Sequence, residues 1–211
     1  MSTQNTSSFR TIFAYLPFLL IVFGAAASVL SYNKIQSNDE SVTSAFSELL
    51  NQYQRRYELV PNLVSTVKGY AGHEKELLTE VAQARAQVGK IKMSAGKLDD
   101  EAAMASFQKA QGELDSSLSR LIVVSENYPD LKTNRLFGNL MTQLEGTDNK
   151  IAVARGRYVK AVQIYNTQLR QFPGVIFANY FNYKVKPNYS LNNDAVVTAA
   201  PIVSFNSTSA N

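Results

Sequence analysis

The chain has 211 residues, a hydrophobic share of 45%, a charged share of 18% and a formal net charge of +4, which suits one ordinary domain with or without an anchor and argues against wholesale disorder. Without cysteine there are no disulfides, thiolate metal sites, cysteine nucleophiles or lipidated cysteine, and a lone histidine, His73, excludes any site that needs two imidazoles. The basic residues are scattered among carboxylates along helical stretches, the pattern of a solvated face, so no nucleic-acid partner is expected.

Residues 1–10 read as a short tail. From 11 to 33 no residue is charged, and about 20 helical residues cross the roughly 30 Å hydrocarbon core of a bilayer, so 11–33 reads as a transmembrane helix with the lipid bilayer as its partner. A cleaved signal peptide is the competing reading, since Ala25-Ala26-Ala27 offers small residues for cleavage, but the apolar run exceeds the usual signal length. Arg10 precedes the span and Lys34 follows it, with Asp39 and Glu40 soon after. The positive-inside bias leans to a cytoplasmic amino terminus in a bacterial inner membrane, with the bulk of the chain on the extracytoplasmic side. Gly24 and Ser28 form a small-xxx-small pair through which two anchors can pack, a route to self-association.

From 34 to 183 the apolar positions keep a helical period, which predicts an all-α, elongated antiparallel bundle with coiled-coil character. Val42, Ala45, Phe46, Leu49, Tyr53 and Tyr57 mark one face, with Asn38 or Ser41 as its cap. Pro61 either begins a new helix or kinks a continuous one. Leu63, Val67 and Tyr70 carry the stripe onward; Leu77, Val81, Ala84, Val88 and Ile91 resume it after Gly69 and Gly72, and Ser94-Ala95-Gly96 turns the chain. A further helix starts near Asp99-Asp100-Glu101, with Met104, Phe107, Gln111, Leu114, Leu118, Leu121 and Val124 on its inner face, and ends at Tyr128-Pro129-Asp130. The last long stripe is Leu136, Leu140, Leu144, Ile151, Ala154, Tyr158, Val162, Tyr165, Leu169 and Phe172. Beyond Pro173 an apolar, aromatic segment spans one or two helical turns, and 184–211 reads as a flexible carboxy-terminal tail, with 195–203 as a candidate extended strip folding back.

The run QRRYELVPNLVSTVKGYAGHEKELLTEVAQAR, residues 54–85, and the block from 126 to 178 resemble the bacterial LemA family, as does the Tyr32-Asn33 pair after the apolar helix. Arg55-Arg56, Pro61-Asn62-Leu63-Val64, Tyr128-Pro129, Arg155, Tyr165-Asn166 and Phe172-Pro173 are specific in combination. The resemblance covers roughly 32–183. It departs at Asp148, where the family often carries Glu, and at Val159, where it carries Asn. It implies an amino-terminal membrane helix followed by a long antiparallel bundle, with no established catalytic activity, cofactor or substrate. It further implies an association with bacterial membranes, sometimes with membrane proteases, and in one branch with magnetosome membranes.

Site chemistry is sparse. His73-Glu74 lacks the second histidine of a zinc-protease motif, Leu77 standing where it would fall. No phosphate-binding glycine loop follows Gly69 and Gly72, and nothing orients His73 as a base for a serine. The expectation is therefore a non-enzyme with no catalytic, metal or cofactor site and no small-molecule substrate. The polar groups about Pro61 have a structural reading, as partners for backbone carbonyls that the proline frees. Their functional reading makes Arg55, Arg56 and Asn62, with Arg155 from the last long helix, a partner-docking surface; Asp148 or Glu145 would pair with Arg155. The function expected is a membrane-anchored scaffold or adaptor binding an unidentified membrane or envelope protein. The alternative is a lipid-associated, membrane-organising or membrane-shaping protein using the aromatics of 177–181.

Overall fold

A computed structural model describes residues 6–71, 74–91 and 93–189 of the chain; His73 and the candidate strip 195–203 lie outside them. Among these residues six helices follow one another: α1 (Thr6–Lys68), α2 (Lys75–Lys90), α3 (Glu101–Ser125), α4 (Pro129–Lys132), α5 (Arg135–Arg170) and α6 (Gly174–Phe181). One turn of 3₁₀ helix, Ala95–Lys97, sits between α2 and α3 where the small residues stand. No strand occurs among the described residues.

The apolar segment and the first bundle helix are a single element. α1 runs for 63 residues through both Pro17 and Pro61, about 95 Å at 1.5 Å per residue. Phe18, Ile21, Phe23 and Leu30 are all about two-thirds exposed, and burial begins at Ser31 and Ile35. Among the described residues this is the one helix long and apolar enough to cross a membrane. Asn38 and Ser41 therefore cap nothing. Asn38 is buried inside the helix with its Nδ2 unpartnered, and the Ser41 hydroxyl donates to the Ser37 carbonyl one turn back.

Past that point α1 and α5 lie antiparallel, each presenting residues seven apart: Ile35, Val42, Leu49, Arg56 and Leu63 on one, Phe137, Leu144, Ile151, Tyr158 and Tyr165 on the other. A seven-residue repeat keeps one seam facing its partner over many turns, as in coiled coils. Arg56 is the one member of these two rows that is not apolar or aromatic. It stands between two apolar clusters. The membrane-proximal cluster gathers Ile35 to Tyr53 of α1, Ile151 to Leu169 of α5, and Met104 and Phe107 of α3. The distal cluster gathers Val60 to Ala71, Leu78 to Ala84 of α2, Leu114 to Leu121 of α3, Leu131 of α4 and Phe137 to Leu144 of α5.

Helix ends follow local chemistry. The Asp100 carboxylate accepts from the Ala103 amide and starts α3; the Asn134 side chain accepts from the Leu136 and Phe137 amides and starts α5. Pro129 ends no helix but opens α4, at a first-turn position where its missing N–H costs nothing. Four expected core positions move, Tyr70 among them at 43% exposed. Leu78 rather than Leu77, and Phe137 rather than Leu136, face inward, and Leu136 is 58% exposed. Phe172 is 80% exposed because α5 has ended at Arg170 and the chain has turned.

The free tail expected from Lys184 differs from the structure over 184–189. These residues run back along the membrane-proximal half of the bundle. Asn166 clamps them, its amide donating to the Lys186 carbonyl and its oxygen accepting from the Lys186 N–H, both at 2.9 Å. The Tyr158 hydroxyl donates to the Pro187 carbonyl at 3.0 Å. The buried Lys186 ammonium reaches Asp39 at 2.8 Å and Asp99 at 3.5 Å. The clamp satisfies a strap with no helix or sheet of its own, and the strap covers the seam beside the short α6.

Candidate functional site

The four residues expected to form a docking surface separate into two pairs. Arg56 is 3% exposed and reaches from α1 to both neighbouring helices. Its Nη1 donates to Asp115 of α3 at 3.1 Å and to Asp148 of α5 at 3.5 Å; its Nη2 donates to the Gln111 side-chain oxygen at 2.8 Å and to the Gln111 carbonyl at 3.3 Å. Two carboxylates and an amide thus answer one buried charge, which would be costly unpaired. Burial holds the Asp148 carboxyl above its ordinary value, outweighing the lowering by Arg56, and the neighbouring Asp115 charge adds to the rise.

Arg155 is also spent internally, without the partner expected for it. Asp148 belongs to Arg56. The Arg155 Nη2 instead donates to the Tyr53 hydroxyl at 3.1 Å, and its guanidinium lies 4.5 Å from the centre of the Tyr189 ring. The Tyr53 and Tyr189 hydroxyls are 2.8 Å apart. This joins the strap to α1 and α5. Burial pushes the Tyr189 hydroxyl up, as it does those of Tyr158 and Tyr165, so all three stay neutral across physiological pH.

Arg55 and Asn62 are exposed and stand seven residues apart on α1, which places them on one outer face. The carbonyl freed by Pro61 is that of Tyr57, four residues back. Its hydrogen bond comes from a residue that sequence spacing does not single out, Arg85 of α2, whose Nε donates at 3.2 Å. Asp115, Asn166, Lys186 and Tyr189 are likewise polar partners that no spacing marks. Gln111 alone carries a signal, as an amide in an otherwise apolar stripe. Among the described residues no group of three or more histidine or acidic side chains is placed to share a metal ion.

These features define a class: an all-α bundle, cross-braced by ion pairs whose cations are buried, continuous with a helix long and apolar enough to cross a membrane. The LemA family pattern matches residues 45–205, most of the chain. The protein belongs to the LemA family.

It is 26% identical over 171 residues to magnetosome protein MamQ 2 of Paramagnetospirillum magneticum, covering 74% of this chain and 63% of that protein. It is 23% identical over 176 residues to magnetosome protein MamQ of Magnetospirillum gryphiswaldense, with the same coverage of each. Protein LemA of Metamycoplasma hominis is 21% identical over 140 residues, 66% of this chain and 60% of that one. The chain thus spans less than two thirds of the length of these relatives.

Proposed function

We propose that this chain is a non-enzymatic, membrane-anchored scaffold or adaptor that holds a binding surface for a membrane or envelope protein at a fixed height above the bilayer. The observation carrying this reading is the unbroken passage of α1 from an unburied apolar stretch into the bundle. A helix without a break transmits position and orientation, which is what a scaffold needs. The buried charges serve the same end, since Arg56 and Lys186 each tie three elements and fix how the helices sit. Arg55 and Asn62, on one exposed face of α1, are the docking residues of this proposal, while Arg56 and Arg155 shape that face from inside.

The bundle is assigned to the extracytoplasmic side of a bacterial inner membrane, on the positive-inside bias. Photo-crosslinking from position 55 or 62 in intact membranes tests the docking surface. A discrete adduct from position 62, with a partner or with a second copy, that is lost on Arg55→Glu supports it; no adduct from either position sinks it. Ser94→Cys, at an exposed position in a chain with no cysteine, tests the side. Labelling by an impermeant thiol reagent in intact cells is expected, and labelling only after the cytoplasm is opened overturns the assignment.

A further inference from the structure

We infer that α6 is a second membrane contact, its outer face lying in the headgroup region beside the point where α1 leaves the bilayer. From Gln171 to Tyr183 there is no charged residue. Gly174 and Ala178 turn inward and are buried, while Phe172, Ile176 and Tyr180, four residues apart, turn outward and are 80%, 54% and 82% exposed. An apolar stripe of this size left in water is unfavourable by roughly 25 cal/mol per Å² relative to burial, so something covers it.

The position says what. The Phe181 ring lies 5.5 Å from that of Tyr32, and Gln36 donates to the Tyr183 hydroxyl, so α6 sits against the stretch of α1 where burial begins. Cover on α1 reaches back to Ala27 and Ser28, which belong to the uncharged span. The apolar stripe is therefore continuous with the surface of the membrane helix. Its composition suits an interface: aromatic rings with polar tips, and the exposed cations Lys34, Arg170 and Lys184 at its edges. A short amphipathic helix joined to a spanning one gives two points of attachment, and two points restrict how the rod leans.

The inference rests on α1 spanning the membrane, and the test separates the two. The chain contains no tryptophan, so Tyr180→Trp and Ile176→Trp, at exposed positions, each introduce one reporter. Val123→Trp, 69% exposed at the opposite end of the bundle, is the control. Full-length variants are reconstituted into phosphatidylcholine–phosphatidylglycerol vesicles, with and without lipids brominated in the upper part of the acyl chain. Flotation with the vesicles comes first; failure to float removes the span, and this inference with it. In floating protein, emission from the Tyr180→Trp and Ile176→Trp variants is expected to be blue-shifted and quenched at least about twofold by brominated lipid, with the control unquenched. Quenching no greater than that of the control overturns the inference. So does a blue shift without quenching, which means that protein rather than lipid covers the stripe.

Discussion

Arg85 mends a gap in the neighbouring helix at Tyr57: its Nε donates to the Tyr57 carbonyl at 3.2 Å, and its guanidinium lies 3.9 Å from the centre of the Tyr57 ring. Gly89, one turn further along α2, leaves room for that ring, since a Cβ there would stand 3.0 Å from the Tyr57 hydroxyl. The same ring is thus held by an arginine above and by the lack of a side chain below. Pro61 is what makes the contact necessary, because it supplies no N–H to the carbonyl four residues back.

Arg85→Ala is expected to destabilise the full chain by about 1–2 kcal/mol, from one hydrogen bond to a charged donor and a cation–π contact. Pro61→Ala returns an N–H to the Tyr57 carbonyl. In that background the cost of Arg85→Ala should shrink, and thermal melts in detergent followed at the helical dichroism band measure the coupling. Equal costs in both backgrounds would mean that Arg85 acts by packing alone.

Removing Arg56 leaves Asp148 half-buried without its cation and Gln111 without a donor. Arg56→Met should therefore lose about 3 kcal/mol, and Asp148→Asn added to it should recover part of that loss. A melt of Arg56→Met as stable as the parent would show that the polar tie contributes nothing.

The raised carboxyl of Asp148 sets a pH dependence. The native state holds that proton more tightly than the unfolded chain. Above the native value both states are ionised and the native one carries the cost of burial; as pH falls through that value the cost is relieved. Stability from this group thus rises as pH falls below the native value and is lost as pH rises through it. Melting temperatures at neutral and mildly acidic pH should show a smaller gain, or a larger loss, on acidification for Asp148→Asn than for the parent.

The strap can be released without touching a core residue. Asn166→Ala removes both bonds to the Lys186 backbone. The Lys186 amide, protected by the Asn166 oxygen, should then exchange at least about tenfold faster, as read by hydrogen exchange of a peptide covering 182–189. Unchanged exchange would mean that the Lys186 ion pairs suffice to hold the strap.

Gly174 opens α6 directly against the end of α5. A Cβ there would run into the carbonyl oxygen of Gln168, a backbone atom that cannot step aside alone. Gly174→Ala should cost about 2 kcal/mol or more, because α6 must shift. An unaltered melt would show that this end of the bundle yields easily.

Much of the architecture is legible from residue spacing, since α5 from Leu140 to Leu169 repeats without interruption and its apolar side has one possible partner. Where two apolar residues adjoin, as at Leu77-Leu78 and Leu136-Phe137, periodicity alone leaves the inward one open and packing decides. The cross-braces are out of reach for a different reason. Arg56 and Asp148 are 92 positions apart, whereas Arg155 shares its helix with Asp148 and Glu145, so nearness along the chain favours the wrong pair. Lys186 stands in a polar run with no period, and only the three-dimensional meeting of Asp39, Asp99 and Asn166 gives it a seat. The docking candidates mix two internal arginines, Arg56 and Arg155, with two external residues, Arg55 and Asn62, because nearness along the chain does not tell an inward side chain from an outward one.

That α1 does not break where it leaves the apolar segment turns the chain into a lever. From Ser31 to Lys68 it extends about 57 Å, so a change of about ten degrees in the slant of the embedded portion carries the far tip sideways by about 10 Å.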